Sequence, residues 1–157
     1  YDYYIDFEKV VRNVEEIKVE LNILNSLIGS KNIEEDFERI VTKYPETLQC
    51  IPLLLAVRGN EIYAQDEEGA FLYNFKKMNY SVEQYKVFMR KTGLFDMIAN
   101  HLVNNLVDYA LGIETGLDSN GRKNRGGHQM EDLVEKYIVA AAFYIYMLSQ
   151  NKKISTK

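Results

Sequence analysis

Six apolar residues, Val10, Val14, Ile17, Leu21, Leu24 and Ile28, recur at alternating steps of four and three. That spacing places all six on one helical face, and only burial against a second element takes such a face out of water. It predicts one amphipathic helix over 7–28, with Asp6 as its N-cap and Gly29 as the C′ residue that stops it. A chain that begins this way is committed to helix packing.

The rest of the chain continues in the same style. Asn32 followed three residues later by Glu35 has the form of a capping box, opening a helix that buries Phe37, Ile40, Val41 and Tyr44 and ends before Pro45. The nearly all-apolar residues 46–57 predict a buried helix that restarts around Pro52. Between Gly59 and Phe75 the period shortens. The runs 61–64 and 70–75, on either side of the acidic Asp66–Gly69, predict a β-hairpin. Ser81 with Gln84 opens another capped helix to about Lys91, which Gly93 ends. Leu94, Ile98, Leu102, Leu106 and Ala110 then mark a long helix stopped by Gly112. Residues 128–149 make the last helix, with Met130, Val134, Tyr137, Ile138, Ala141 and Ile145 on one face. The expected architecture is mostly α, a single domain of five to seven helices with one small hairpin. It divides into a helical scaffold over 1–112, a basic loop over 113–127 and the last helix.

Composition narrows the function classes. A hydrophobic fraction of 46% against 27% charged residues excludes a disordered chain, and 157 residues suffice for a core. No apolar run approaches the ~20 residues of a membrane span. The single cysteine, Cys50, cannot form an internal disulfide, which permits a reducing cytoplasm without demanding one. The opening Tyr-Asp-Tyr-Tyr carries no leader and suggests a missing beginning. The net charge of −4 conceals an asymmetry: residues 1–118 hold 12 Lys/Arg against 20 Asp/Glu, whereas 119–157 hold 7 against 3. A polyanion is repelled by most of this surface and admitted at one end.

At that end lies Asp118 to Glu135. Arg122, Lys123 and Arg125 sit among Gly121, Gly126 and Gly127 and lead into a segment carrying Glu131, Asp132 and Glu135. Glycines permit close backbone approach, guanidinium groups take phosphates or base edges in forked pairs, and carboxylates hold Mg²⁺. The plain alternative is a solvated loop. Glu131 is the carboxylate placed to meet a metal beside a phosphate, or else a surface acid at a helix N-terminus. His101 reads as a structural or surface residue; for His128, at the mouth of the basic run, structure and function balance. Asn104, Asn105 and Asp108 form a polar face, with asparagine able to read adenine. The Leu27–Asn32 turn, with Lys31, is a second candidate contact beside a helix N-terminus. Zinc ligand spacing, a nucleophile elbow and a P-loop are all missing from the sequence.

Four stretches carry a resemblance: Leu-Asn-Ile-Leu-Asn-Ser-Leu-Ile-Gly-Ser-Lys-Asn-Ile (21–33), Leu-Phe-Asp (94–96), Asn-His-Leu-Val-Asn-Asn-Leu-Val-Asp-Tyr (100–109) and Asp-Ser-Asn-Gly-Arg-Lys-Asn-Arg-Gly (118–126). From about Tyr4 to Ile138 the chain resembles the amino-terminal half of the DpnII/MboI-type restriction endonucleases, of the PD-(D/E)xK nuclease class. The resemblance implies Mg²⁺-dependent hydrolysis of unmethylated duplex DNA at GATC, and a place in the amino-terminal part of a larger α/β nuclease. It implies that Glu131 supports the metal and is catalytic. Arg122, Lys123 and Arg125 would engage the DNA near the scissile phosphate, with Asn120, Asn124 and Lys31 as further contacts. After Tyr137 the match fades. The other metal carboxylates and the catalytic lysine of such a nuclease lie beyond that point, so the chain is expected to be truncated and inactive alone. Double-stranded DNA is the expected partner, with a homodimer as a further expectation. The alternative is a non-catalytic DNA-binding or helical protein-interaction module.

Overall fold

Asp6 does what its place before an apolar-periodic run requires. Its carboxylate accepts the Lys9 backbone N–H at 3.0 Å and starts α1 (Phe7–Glu15). In the computed structural model, which describes residues 5–123, six further helices and a hairpin follow. These are α2 (Lys18–Leu24), α3 (Ile33–Lys43), α4 (Ile51–Leu54), β1 (Glu61–Asp66), β2 (Gly69–Asn74), α5 (Val82–Lys91), α6 (Leu94–Ala99) and α7 (Leu106–Lys123). Short 3₁₀ turns at Asn25–Leu27 and Pro45–Cys50 complete the order. The expected last helix, 128–149, lies outside the described residues.

The single helix expected over 7–28 is three pieces. Ile17 leaves helical geometry (φ −120°, ψ 13°), and its N–H bonds back to Val14 at 3.0 Å rather than continuing the i−4 ladder. Val14, Leu21 and Leu24 nevertheless all reach the core, because the kink preserves the apolar face. Gly29 stops the segment as expected, at φ +77°, a conformation glycine adopts without steric cost. Its N–H donates to the Ile98 carbonyl at 2.9 Å, tying this turn to α6.

The helix expected from Leu94 to Ala110 is also interrupted. Behind α6, the His101 N–H bonds to Ile98 and the Leu102 N–H to Met97, with His101 left-handed at φ +57°. That is a Schellman stop built on a non-glycine residue. A new helix then begins: Asn105 Oδ1 accepts the Val107 N–H at 2.8 Å, and Asn25 Oδ1, arriving from the 3₁₀ turn, accepts the Leu106 N–H at 2.8 Å. Nor does Gly112 end it. α7 runs through Gly112, Gly116 and Gly121, so residues 113–123 are helix and not loop. A mid-helix glycine costs about 1 kcal/mol. Burial of Leu106, Ala110, Ile113 and Leu117 on one face, at ~25 cal/mol per Å² of apolar area, outweighs it.

Other expectations hold. Ser81 caps α5 by accepting the Gln84 N–H, and Gly93 follows α5 at φ +84°. Asn32 sits at the N-cap position of α3, but its side chain makes no capping bond. The two strands pair antiparallel with Ile62 opposite Tyr73 and Ala64 opposite Phe71. The inner hairpin face meets α5 through an aromatic cluster. Tyr73 packs edge-on to Tyr85 (centroids 5.4 Å apart) and Phe75 edge-on to Tyr85 (5.6 Å). At the tip, Lys91 of α5 bonds Asp66 and Glu67 at 2.8 and 2.9 Å. Those bonds raise the lysine's pKa and lower both carboxylates below their usual range. Cys50 is buried, and desolvation pushes its thiol up to about 12, so it packs rather than reacts.

Candidate nucleic-acid interface

α7 is the element that delivers the basic run. Its buried stripe, Leu106, Ala110, Ile113, Glu114, Leu117 and Asp118, follows the i, i+4, i+7, i+8 rule, and α1, α2 and α4 pack around it. The stripe changes character along its length. Its first two turns are apolar, and its last two include carboxylates only 5% and 7% exposed, at Glu114 and Asp118.

Each of those acids has partners. Glu114 Oε2 lies 3.1 Å from Arg58 Nη1 and accepts from Asn13 Nδ2 at 3.5 Å. Asp118 Oδ2 accepts the Asp6 N–H at 3.2 Å, and its other oxygen stands 4.0 Å from Lys9 Nζ. Asp118 therefore satisfies an N-terminal amide of α1 and places negative charge where that helix's dipole favours it. The contacts reach across 56 and 112 residues of chain, so no local pattern announces them. They fix the outgoing half of α7 to α1 and to the segment before β1.

Five residues after Asp118 the described chain ends, still helical. Asn120, Arg122 and Lys123 are thus on the last turns of α7, carried by a helix braced at Glu114 and Asp118. Asn124, Arg125, His128 and Glu131 lie outside the described residues. Lys31 is exposed, on the turn between the Asn25–Leu27 3₁₀ turn and α3. The α3 N-terminus beside it already carries Glu34, Glu35 and Asp36 in its first turn. Ser30 Oγ donates to Asp36 at 2.6 Å, and Arg90 pairs with Glu34. The protein's own carboxylates occupy the place an incoming phosphate would take. Of the polar face expected on the preceding helix, Asn105 is consumed in capping α7, while Asn104 and Asp108 are exposed. His101 is exposed and serves as the left-handed residue of the α6 stop. Among the described residues no three His, Cys, Asp or Glu side chains converge on a point where they could hold a metal. No described helix is long and apolar enough to cross a membrane.

The comparisons with known proteins fall in one class, the type II restriction enzymes. DpnII from Streptococcus pneumoniae is 52% identical over 150 residues, which are 95% of this chain and 51% of that protein. MjaIII from Methanocaldococcus jannaschii is 41% identical over 143 residues, 88% of this chain and 49% of its own length. MboI from Moraxella bovis is 35% identical, over 91% of this chain and 51% of its own. No solved structure matches the chain. The profile of the DpnII restriction endonuclease family covers residues 1–157, and the chain belongs to that family. It spans about half the length of the curated relatives it matches.

Proposed function

We propose that this chain forms part of a site-specific deoxyribonuclease that hydrolyses phosphodiester bonds of unmethylated duplex DNA at GATC in the presence of Mg²⁺. The family match over all 157 residues carries the reading. The braced course of α7 supports it, because a cation holds a phosphate best from a rigid element that needs no ordering on binding. Arg122, Lys123 and Arg125 contact the DNA backbone, with Asn120 and Asn124 as further contacts. Arginine and lysine divide the work: the guanidinium forks onto two oxygens, and the ammonium adds a point charge.

Glu131 supports the metal in this reading. A hard cation of this kind asks for several oxygen ligands, and one glutamate leaves most of them to other carboxylates and water. The described residues bring no such group together. We assign the remaining ligands and the catalytic lysine to sequence beyond this chain, because 136–157 hold no Asp or Glu and the relatives are about twice its length. The chain forms the amino-terminal, helical part of the enzyme and is inert alone.

The test is a cleavage assay on unmethylated, methylated and scrambled GATC duplexes with Mg²⁺. The 157-residue chain is expected to leave all three intact. A chimaera that continues into the rest of the pneumococcal relative is expected to cut only the unmethylated site. Glu131→Gln in the chimaera abolishes cutting and keeps binding. Efficient cutting by the 157-residue chain overturns the assignment of the missing ligands, and a chimaera that cuts without regard to GATC overturns the substrate.

A further inference from the structure

The two edges of the hairpin are finished differently. The Leu72 N–H of β2 donates to Tyr80 Oη (3.2 Å) and its carbonyl accepts from Asn79 Nδ2 (2.7 Å). The Asn74 N–H donates to Asn79 Oδ1 (3.0 Å), and its carbonyl accepts from Tyr85 Oη (2.5 Å). Every outward backbone group of Leu72 and Asn74 is thus satisfied by a side chain, which closes β2 to another strand along 72–74. Alternation along an antiparallel ladder, with Tyr63 opposite Leu72, then turns the N–H and C=O groups of Glu61, Tyr63 and Gln65 away from β2. None of these three residues has a backbone partner on that side among the described residues. An edge left bare on one side of a sheet, and closed with four bonds on the other, is a place for strand addition.

The sequence of β1 indicates what fits. Laid antiparallel on itself about a two-fold axis at Tyr63, the strand places Tyr63 opposite the second copy's Tyr63, which exchange both backbone hydrogen bonds. Glu61 falls opposite the second copy's Gln65, an amide donor against a carboxylate, and no like charges face each other. Tyr63 is 63% exposed and its cross-strand neighbour Leu72 48%. The four-stranded sheet so made carries Leu72, Tyr63, Tyr63 and Leu72 in one unbroken apolar row, the kind of cross-strand contact that stabilises a sheet. Past the strand ends, the same axis sends the acidic Asp66–Glu68 tip of each copy toward the Arg58 end of the other.

We propose that the open edge of β1 is a self-association surface, pairing two copies of this chain through Tyr63 into a continuous four-stranded antiparallel sheet. The interface is small and belongs to the reversible, concentration-dependent class. The test is sedimentation equilibrium of the chain up to its highest soluble concentration, paired with hydrogen exchange. The wild type is expected to approach twice its 18.3 kDa mass, with the Tyr63 and Gln65 amides gaining protection as concentration rises. Tyr63→Lys and Tyr63→Glu, both on an exposed face, each reduce association at least ~10-fold by setting like charges directly opposite, and an equimolar mixture of the two restores it. A wild type that stays monomeric throughout overturns the proposal. So does a dimer that both variants leave intact, or one that forms without protecting Tyr63 and Gln65.

Discussion

Consider removal of either member of the Arg58–Glu114 pair, the contact that fixes the outgoing half of α7 to the segment before β1. The pair is lopsided: the Glu114 side chain is 7% exposed and that of Arg58 44%, with 3.1 Å between charged atoms. Arg58→Met leaves a buried carboxylate with only the long bond from Asn13. Orphaning a fully buried charge costs about 3–5 kcal/mol. Water already reaches the arginine, so the loss here is discounted to about 2 kcal/mol. Glu114→Gln removes the buried charge, keeps an acceptor and lets Arg58 turn into solvent, for about 1 kcal/mol. The double variant no longer carries an unpaired buried acid. It is expected to cost about 1.5 kcal/mol, not the 3 of simple addition, a coupling of about 1.5 kcal/mol. Urea unfolding followed by far-UV circular dichroism gives all four stabilities. Additivity within about 0.3 kcal/mol, or a costlier loss on the glutamate side, would refute the reasoning.

Three further expectations follow from other contacts. Asn25→Ala removes the acceptor of the Leu106 N–H and lowers stability by about 1 kcal/mol, measured by the same unfolding; no change would mean that Asn105 alone caps α7. Gly112→Ala, where an added Cβ meets nothing within 4 Å, is expected to raise stability by about 0.5–1 kcal/mol, and a loss would show that α7 is not regular there. Lys91→Met is read by its Tm deficit against pH. Asp66 and Glu67 have lowered pKa values, so their contribution is complete above their usual 3.8 and 4.5 and is lost as acid titrates them through the lower folded values. Lys91 is raised, so its contribution persists past 10.5 and fades only in stronger alkali. The deficit is therefore flat from about pH 5 to 9 and closes below about pH 4. A deficit that grows with acid would contradict the assignment.

What the sequence announced and what it hid divide by distance along the chain. The caps at Asp6 and Ser81, the stop at Gly93 and the hairpin around Asp66–Gly69 were legible because each device acts across three or four residues. The breaks at Ile17 and His101 were not, since the apolar period runs through both and a periodicity argument sees only the face. The cluster Asn100, Asn104 and Asn105 was the available sign of the second break, because asparagine favours turns and caps over helix interiors. Gly112 misled for the opposite reason: a local penalty of about 1 kcal/mol was set against burial supplied from α1, α2 and α4. The basic run itself was plain in the sequence. Its bracing was not, because Glu114 meets Arg58 across 56 residues and Asp118 meets Asp6 across 112. Lys31 shows a related limit: the helix start beside it was foreseen, but the filling of that start by Glu34, Glu35 and Asp36 becomes clear only once the turn is formed.

The idea that the braced end of α7 addresses a DNA backbone is tested most directly by the salt dependence of duplex affinity, measured by fluorescence anisotropy for the chain and for Arg122→Ala and Lys123→Ala. Each cation that neutralises a phosphate contributes about −0.9 to the slope of log affinity against log salt. Each substitution is expected to flatten the slope by about that amount while leaving the fold intact. Slopes unchanged by both substitutions, or no binding even at low salt, would contradict it.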